Sequence, residues 1–389
     1  MRMKYLLLND IPAPWREKVF EFVHRDLGDK FHVAYCARNE RRRLWTFPHG
    51  SHSKQFLRRF TYFRSGGERF FNPGIIPLLL KHRPKVVVIF GLKDPTMLLA
   101  FVTARLIRAK IVVFSDTWLE RDRDIGRAQR LLRRVIFRYF GDIFLGASRK
   151  TLEMFQHYNP GIPQAAFFQS ALCADNAFFL AALPKDSGSN RAFDLMFSGR
   201  IVARKNPLFL AEVAVALKRQ MGRCKVLIIG EGDQVLKESL FRRLSEGGVE
   251  YSFAGFVAHD RLPEYYAQAK LLLLPTAADC WGVVINEAMV SGTPVITTEM
   301  TAAAGELVIH GENGFVLPLE SGVWADHARS LLEDPVRLAL FSRRARDKVA
   351  WYSFENAAQG IIDAIAYADG LRAGKQPCKD LTDAQSTCT

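Results

Sequence analysis

Two carboxylates, Asp279 and Glu287, stand eight positions apart in DCWGVVINEAMVSGTPVITT, around a helix-like run that opens at Gly282. Asp279 precedes the helix start and Glu287 lies about one and a half turns inside it, so both can face one ligand from different depths. Carboxylates accept paired hydrogen bonds from neighbouring hydroxyls, which makes sugars and riboses natural targets. The plain alternatives are a helix cap for Asp279 and a solvated helix residue for Glu287. The apolar neighbours Val284, Ile285, Ala288 and Met289 weigh against solvation, because a carboxylate among them needs a partner. A second constellation lies in SGRIVARKN, where Arg200 and Lys205 follow Gly199 and precede Pro207 at the mouth of the run PLFLAEVAVALKRQ. Two cations beside a helix N-terminus suit a diphosphate. The alternative there is a solvated basic loop. Gly230 and Gly232 form a third short motif, GEG, after CKVLII. It lacks the third glycine and the downstream acid of a dinucleotide fingerprint, which disfavours a nicotinamide cofactor.

These motifs sit where short apolar runs end. KYLLL, FHVAYC, KVVVIF, KIVVF and DIFLG recur in the first half, and FDLMFS, CKVLIIG, EYSFAG, LLLLP, PVITT and GFVLP in the second. Helix-like stretches such as PTMLLAFVTARLIRA separate them. Continuous apolar strands alternating with helices predict α/β parallel sheets covered on both faces. Ligands of such sheets bind beyond the carboxyl ends of the strands, where all three motifs fall. The chain has 389 residues, 49% of them hydrophobic, which suits two domains. The expected division is 1–182 for a first Rossmann-like domain, 183–191 for a polar linker, and 192–350 for a second Rossmann-like domain. A C-terminal helix at 351–374, packing back on the first domain, and a disordered tail at 375–389 are expected to follow. The first ten residues read as a buried strand, and no apolar run reaches the roughly 18–20 residues of a membrane span.

Charge is unevenly placed. Residues 1–190 hold 32 of the 54 Lys and Arg but 16 of the 40 Asp and Glu, so the net +14 resides in the first half. An anionic partner for that half is expected: a membrane surface, a phosphorylated acceptor or nucleic acid. No recognised nucleic-acid module accompanies the charge, so no nucleic-acid partner is assigned. In RDRDIGRAQRLLRRVIFRYF, Arg123, Arg127, Arg130, Arg134 and Arg138 share one helical face. Leu132, Val135, Ile136 and Tyr139 occupy the other, which in an ordinary surface helix is expected to cover the sheet. That leaves the nearly all-arginine face unexplained, and peripheral attachment of the first domain to the cytoplasmic face of an anionic membrane is expected. KQFLRRFTYFR similarly mixes Phe56, Phe60 and Phe63 with Lys54, Arg58, Arg59 and Arg64. The six cysteines lack C-x-x-C spacing, and free thiols in a reducing cytoplasm fit them. The letters DRD at Asp122–Asp124 fall in a basic stretch away from any strand end. No metal is assigned.

Taken together, SGRIVARKN, IIGEGD, FAGFVAHDRLPEYYAQAKLLLLP, DCWGVVINEAMVSGTPVI and VIHGENGFVLPL resemble the C-terminal domain of family 4 glycosyltransferases, which have the GT-B fold. The first half resembles the acceptor domain more loosely, through LLLNDIPAPWREKVFEFV and SDTWLERDRDIG. The resemblance implies two Rossmann-like domains facing a cleft and a nucleotide-sugar donor held mainly by the second. It implies Arg200 and Lys205 as the grip on the donor diphosphate, Glu287 as the ribose-binding acid, and Asp279 as the first acid of an E-x7-E motif, here one methylene shorter. Gly282, Val283 and Val284 match backbone positions near sugar and phosphates, and Gly199, which permits a tight exit from its strand, is counted with the donor-binding residues. Gly230, Gly232, Phe256 and Val257 match loops that line the base pocket. Relatives carry a glycine-rich first loop where this chain has NDIPAP, and a His in the acceptor-domain loop where it has Ser115-Asp116; Asp116 is the candidate for that place. The implied activity is a retaining, metal-independent glycosyl transfer, and with the basic first half it gives the expectation of a cytoplasmic enzyme on the membrane face acting on a glycan or lipid-linked acceptor. The alternative is a GT-B nucleotide-sugar epimerase or a catalytically silent sugar-nucleotide-binding homologue.

Overall fold

The computed structural model describes residues 3–40, 50–58, 60–64, 67–92, 94–120, 125–183 and 191–370. DRD, Arg123, Arg59, most of the 183–191 stretch and the 375–389 tail lie outside them. Two compact units divide the chain. One runs to Ala171 and resumes at Phe354; the other is Leu172–Ser353.

The first unit is built on β1 (Tyr5–Asn9), β2 (Phe31–Tyr35), β3 (Lys54–Phe56), β4 (Phe60–Arg64), β5 (Gly67–Phe71), β6 (Val86–Phe90), β7 (Lys110–Ser115), β8 (Ile143–Gly146) and β9 (Phe167–Gln169). Seven of these make one parallel sheet in the order β3-β2-β1-β6-β7-β8-β9. β4 and β5 form a separate antiparallel hairpin. Every residue of β1 and β6 is buried, as continuous apolar strands covered on both faces must be. The helix Phe354–Ala368 belongs to this unit. A Cβ on its Gly360 would lie 1.7 Å from the Gln169 carbonyl oxygen, so glycine is what lets the helix rest on the end of β9. Beyond it, Asp369 accepts from Tyr5 Oη at 3.0 Å and pairs with Lys4 at 2.6 Å.

The basic helix of the sequence spans Arg127–Phe140, and it departs from expectation. Ile136 and Phe137 are its buried residues. Leu132, Val135 and Tyr139, expected against the sheet, are exposed, as is Leu131. At about 100° per residue, Ile136 and Phe137 define a buried sector that the apolar arc of the helix overshoots on the side of the arginines.

The second unit carries β10 (Phe193–Ser198), β11 (Lys225–Ile229), β12 (Glu250–Gly255), β13 (Ala269–Leu274), β14 (Val295–Thr297) and β15 (Gly314–Val316), parallel in the order β12-β11-β10-β13-β14-β15. Leu271 to Leu274 on β13 are wholly buried, each worth about 1.5–3 kcal/mol relative to exposure. Between β13 and β14, the Ser291–Pro294 turn is held by two guanidinium groups, with Arg346 donating to the Ser291 carbonyl at 3.3 Å. Arg191 donates to the Ala269 carbonyl at 2.5 Å, to Thr293 Oγ1 at 2.5 Å and to the Ser291 carbonyl at 2.8 Å. Burial, aided by nearby Arg346, pushes its pKa down to about 10.

Candidate functional site

The loops after β10, β11 and β12 run side by side as a backbone ladder. Gly199 N–H donates to the Ile229 carbonyl at 3.0 Å, Ile201 N–H to the Glu231 carbonyl at 3.0 Å, and Gly230 N–H to the Gly255 carbonyl at 2.7 Å. Gly230 sits at φ 124°, and a Cβ there would meet the Gly199 carbonyl oxygen at 1.9 Å. A Cβ on Gly232 would meet the Ile201 oxygen at 2.1 Å. Side chains are thus excluded from the two glycine positions of the GEG motif by the neighbouring loop itself. Asp233 then caps the next helix, accepting from Leu236 N–H at 3.0 Å. Phe256 is exposed and Val257 half-buried just beyond β12.

The SGRIVARKN loop is tied to the one after β13. The Arg204 carbonyl accepts from Ala277 N–H at 2.8 Å and from Thr276 Oγ1 at 3.1 Å, while the Arg204 guanidinium donates to the Ala278 carbonyl at 3.1 Å. This lashing brings Lys205 Nζ onto Asp279 Oδ2 as an ion pair, with side-chain exposures of 10% and 13%. Arg200, the expected companion of Lys205, lies exposed nearer the strand end. Asn206, in the left-handed region at φ 50°, leads into Pro207 at the start of its helix.

Gly282 has φ 84° and is the N-cap of the helix Val283–Val290, with no side-chain cap. The first N–H groups of a helix lack intrahelical partners, and here they belong to half-exposed Val283 and Val284. A Cβ on Gly282 would sit tightly against Leu274 at 3.1 Å, and the positive φ is one that residues with side chains rarely adopt, so glycine suits this turn. Trp281 is buried beneath, donating from Nε1 to Asn286 Oδ1 at 2.7 Å.

Glu287 is 9% exposed. Tyr266 Oη lies 2.7 Å from its Oε2 and 2.8 Å from Ser198 Oγ. A carboxylate only accepts, so the single tyrosine proton points at Glu287. Burial raises the Glu287 pKa, opposed in part by the Tyr266 hydrogen bond and the nearby His259. The same burial raises the Tyr266 pKa well above 10. Tyr266 and Ser198 were not singled out in the sequence. The apolar setting of Glu287 signals that a partner exists, but nothing in EYYAQAK tells Tyr266 from Tyr265.

The second unit therefore brings Lys205 to Asp279 and ties the loops of Gly199, Gly230 and Gly232 together, with Glu287 one to two turns inside the helix that Gly282 opens. Asp116 belongs to the other unit, exposed just after β7. Among the described residues, no three His, Cys, Asp or Glu side chains are grouped to hold a metal ion, and no helix is long and apolar enough to cross a membrane.

Two parallel-sheet Rossmann-like units in one chain define the GT-B fold. Residues 192–334 match the family described as "Glycosyl transferases group 1". The chain is 31% identical over 190 residues, 46% of its length, to a D-inositol 3-phosphate glycosyltransferase of Nocardia farcinica. It is 24% identical over 223 residues, 57% of its length, to the UDP-N-acetylglucosamine–peptide N-acetylglucosaminyltransferase GtfA subunit of Streptococcus gordonii. The match spans 42% of the length of each of these relatives. Among solved structures, Anabaena Alr3699/HepE in complex with UDP-glucose is similar at a TM-score of 0.70 and 18% identity, over 94% of this chain and all of that one. At that identity the likeness concerns the fold.

Proposed function

We propose that this protein is a retaining, metal-independent glycosyltransferase that moves a sugar from a nucleotide-sugar donor to a glycan or lipid-linked acceptor. The observation that carries the reading is the placement of Lys205 and Asp279 beside the Gly282 helix start, with a buried Glu287 behind it. Glu287 has its described hydrogen bond at Oε2, and its carboxylate is assigned the ribose hydroxyls. Arg200, Lys205 and the N–H groups of Val283 and Val284 are assigned the diphosphate. Asp279 is assigned the transferred sugar.

In this reading Lys205 and Asp279 neutralise each other before donor binds. The diphosphate then takes Lys205, and Asp279 turns to sugar hydroxyls. The bond from the anomeric carbon to the diphosphate oxygen breaks, and the acceptor oxygen bonds to that carbon on the same face. The acceptor proton passes to the departing diphosphate. Charge grows on the leaving group as the bond breaks, so the cations and the helix start stabilise the transition state more than the ground state. Asp116 is assigned to the sugar or acceptor from the first unit. The basic first half is assigned a place on the cytoplasmic membrane face.

UDP-glucose, the ligand named with the Anabaena structure, heads the panel of donors to test, each incubated with candidate acceptors and read by proton NMR of the product. Transfer with an unchanged anomeric configuration is the expected outcome. An epimerised free nucleotide-sugar, or binding without turnover of any donor, would replace this reading by an epimerase or a silent homologue.

A further inference from the structure

The helix Arg127–Phe140 has three sectors. Ile136 and Phe137 are buried. Arg127, Arg134 and Arg138 are exposed on another side. Between them runs an apolar arc that faces solvent: Leu131 at 63%, Val135 at 38%, Tyr139 at 65% and Leu132 at 42% exposure. Leu131, Val135 and Tyr139 follow steps of four, so they stack on one side of the helix. The 14 residues contain five arginines and no acid. The neighbouring helix Pro95–Leu106, joined to this one by Arg105 donating to the Phe140 carbonyl at 2.9 Å, leaves Val102 and Leu106 exposed as well.

An ordinary surface helix buries its apolar stripe and exposes its polar face. Here four large apolar side chains stay in water next to guanidinium groups. Apolar side chains bordered by arginine are the composition of a helix that lies in a membrane interface. Arginine supplies planar donors suited to lipid phosphate, and its aliphatic stem can lie along an apolar surface with the charge held at the headgroups. A protein partner with a matching apolar groove would have to be acidic at the rim as well. An anionic leaflet offers both features everywhere on its surface.

We infer that the helix Arg127–Phe140 docks on an anionic phospholipid leaflet, laying Leu131, Leu132, Val135 and Tyr139 into the boundary between headgroups and acyl chains while Arg127, Arg134 and Arg138 pair with lipid phosphates. This deepens the membrane-facing part of the proposed function and rests on that placement. It names an inserted apolar arc, where charge alone would leave the protein above the headgroups.

The test is co-sedimentation of the full chain with phosphatidylcholine vesicles and with vesicles containing phosphatidylglycerol. No donor or acceptor is present, so the outcome is separate from whether sugar is transferred. Binding is expected to grow with phosphatidylglycerol, to weaken in high salt, and to retain a salt-resistant part. Leu131→Ser with Val135→Ser and Tyr139→Ser keeps every arginine and is expected to weaken binding about tenfold or more. Arg127→Glu with Arg134→Glu and Arg138→Glu is expected to abolish the preference for phosphatidylglycerol. A separate Leu131→Trp variant is expected to retain binding and to gain blue-shifted indole emission on anionic vesicles. Parental binding by the serine variant, unchanged indole emission from the Leu131→Trp variant, or no binding of the parent to either vesicle would overturn the inference. Self-association through this helix in place of lipid binding would do the same.

Discussion

Lys205 and Asp279, 74 positions apart, meet as an ion pair with little solvent access where two strand-end loops are tied together. Removing one member leaves the other charge poorly solvated. In a thermal-unfolding double-mutant cycle of Lys205→Ala and Asp279→Ala, the coupling energy is expected within about 0.5–3 kcal/mol. Each single variant is also expected to lower turnover on the order of 10²-fold. Additive stability effects, or transfer at the parental rate, would reduce the pair to a surface contact.

Glu287 supplies a pH dependence with a defined sign. Burial raises its pKa above the ordinary 4.5, so the folded state takes up a proton before the unfolded chain does. On falling pH this residue alone therefore makes the fold more stable, with the gain setting in as pH passes through the raised value. Donor binding runs the other way, because protonation removes acceptor capacity needed by hydroxyls. Donor affinity measured by calorimetry is expected to fall with a midpoint above 4.5, and Glu287→Gln is expected to lack that transition. A parental profile in Glu287→Gln would locate the titration elsewhere.

Gly230 is expected to be intolerant of any side chain. At φ 124° and 1.9 Å from the Gly199 oxygen, a methyl group both strains the backbone and forces two loops apart. Gly230→Ala is expected to cost roughly 2–4 kcal/mol, read as a lowered denaturation midpoint, and to weaken donor binding. Gly322→Ala, where a Cβ meets nothing within 4 Å, is the control and is expected to change the midpoint little. Equal stability of the two variants would contradict the close approach.

Asp116 is assigned to sugar or acceptor, so Asp116→Asn is expected to impair transfer while free-nucleotide affinity stays at the parental value. Equal loss of nucleotide binding, or full transfer, would return Asp116 to an exposed turn residue.

Of the eleven strands that were legible in the sequence, the central ones are continuous apolar runs, such as Leu271–Leu274 and Val86–Phe90, because parallel strands covered on both faces admit little else, whereas β12 at the sheet edge has no buried residue. β3, β9 and the β4–β5 hairpin were not legible. Lys54–Phe56 and Phe167–Gln169 are three-residue strands at the sheet edges, too short for periodicity to register. The hairpin strand Phe60–Arg64 lies in the stretch where basic and aromatic residues alternate. Arg200, Lys205, Asp279 and Asp116 could be read from position, each lying between a strand and the next α-helix, and Glu287 from its apolar setting within a helix. Their pairings could not, since Lys205 with Asp279 and Tyr266 with Glu287 are set by how loops and helices pack. Contacts also separate the units at Leu172, before the polar 183–191 stretch that composition marks as a linker, because Leu172 and the helix Asn176–Ala181 pack with the second unit. Asn286, for example, reaches the Leu172 carbonyl at 3.4 Å.

The central claim is that the second unit holds a nucleotide-sugar with Glu287 on the ribose. Calorimetric titration of a nucleotide-sugar panel into the parent and into Glu287→Ala tests it most directly. At least one donor is expected to bind the parent, and Glu287→Ala is expected to lose about 1–3 kcal/mol of that affinity with its melting transition intact. Failure of every donor to bind the parent, or equal affinity in a folded Glu287→Ala, would contradict it.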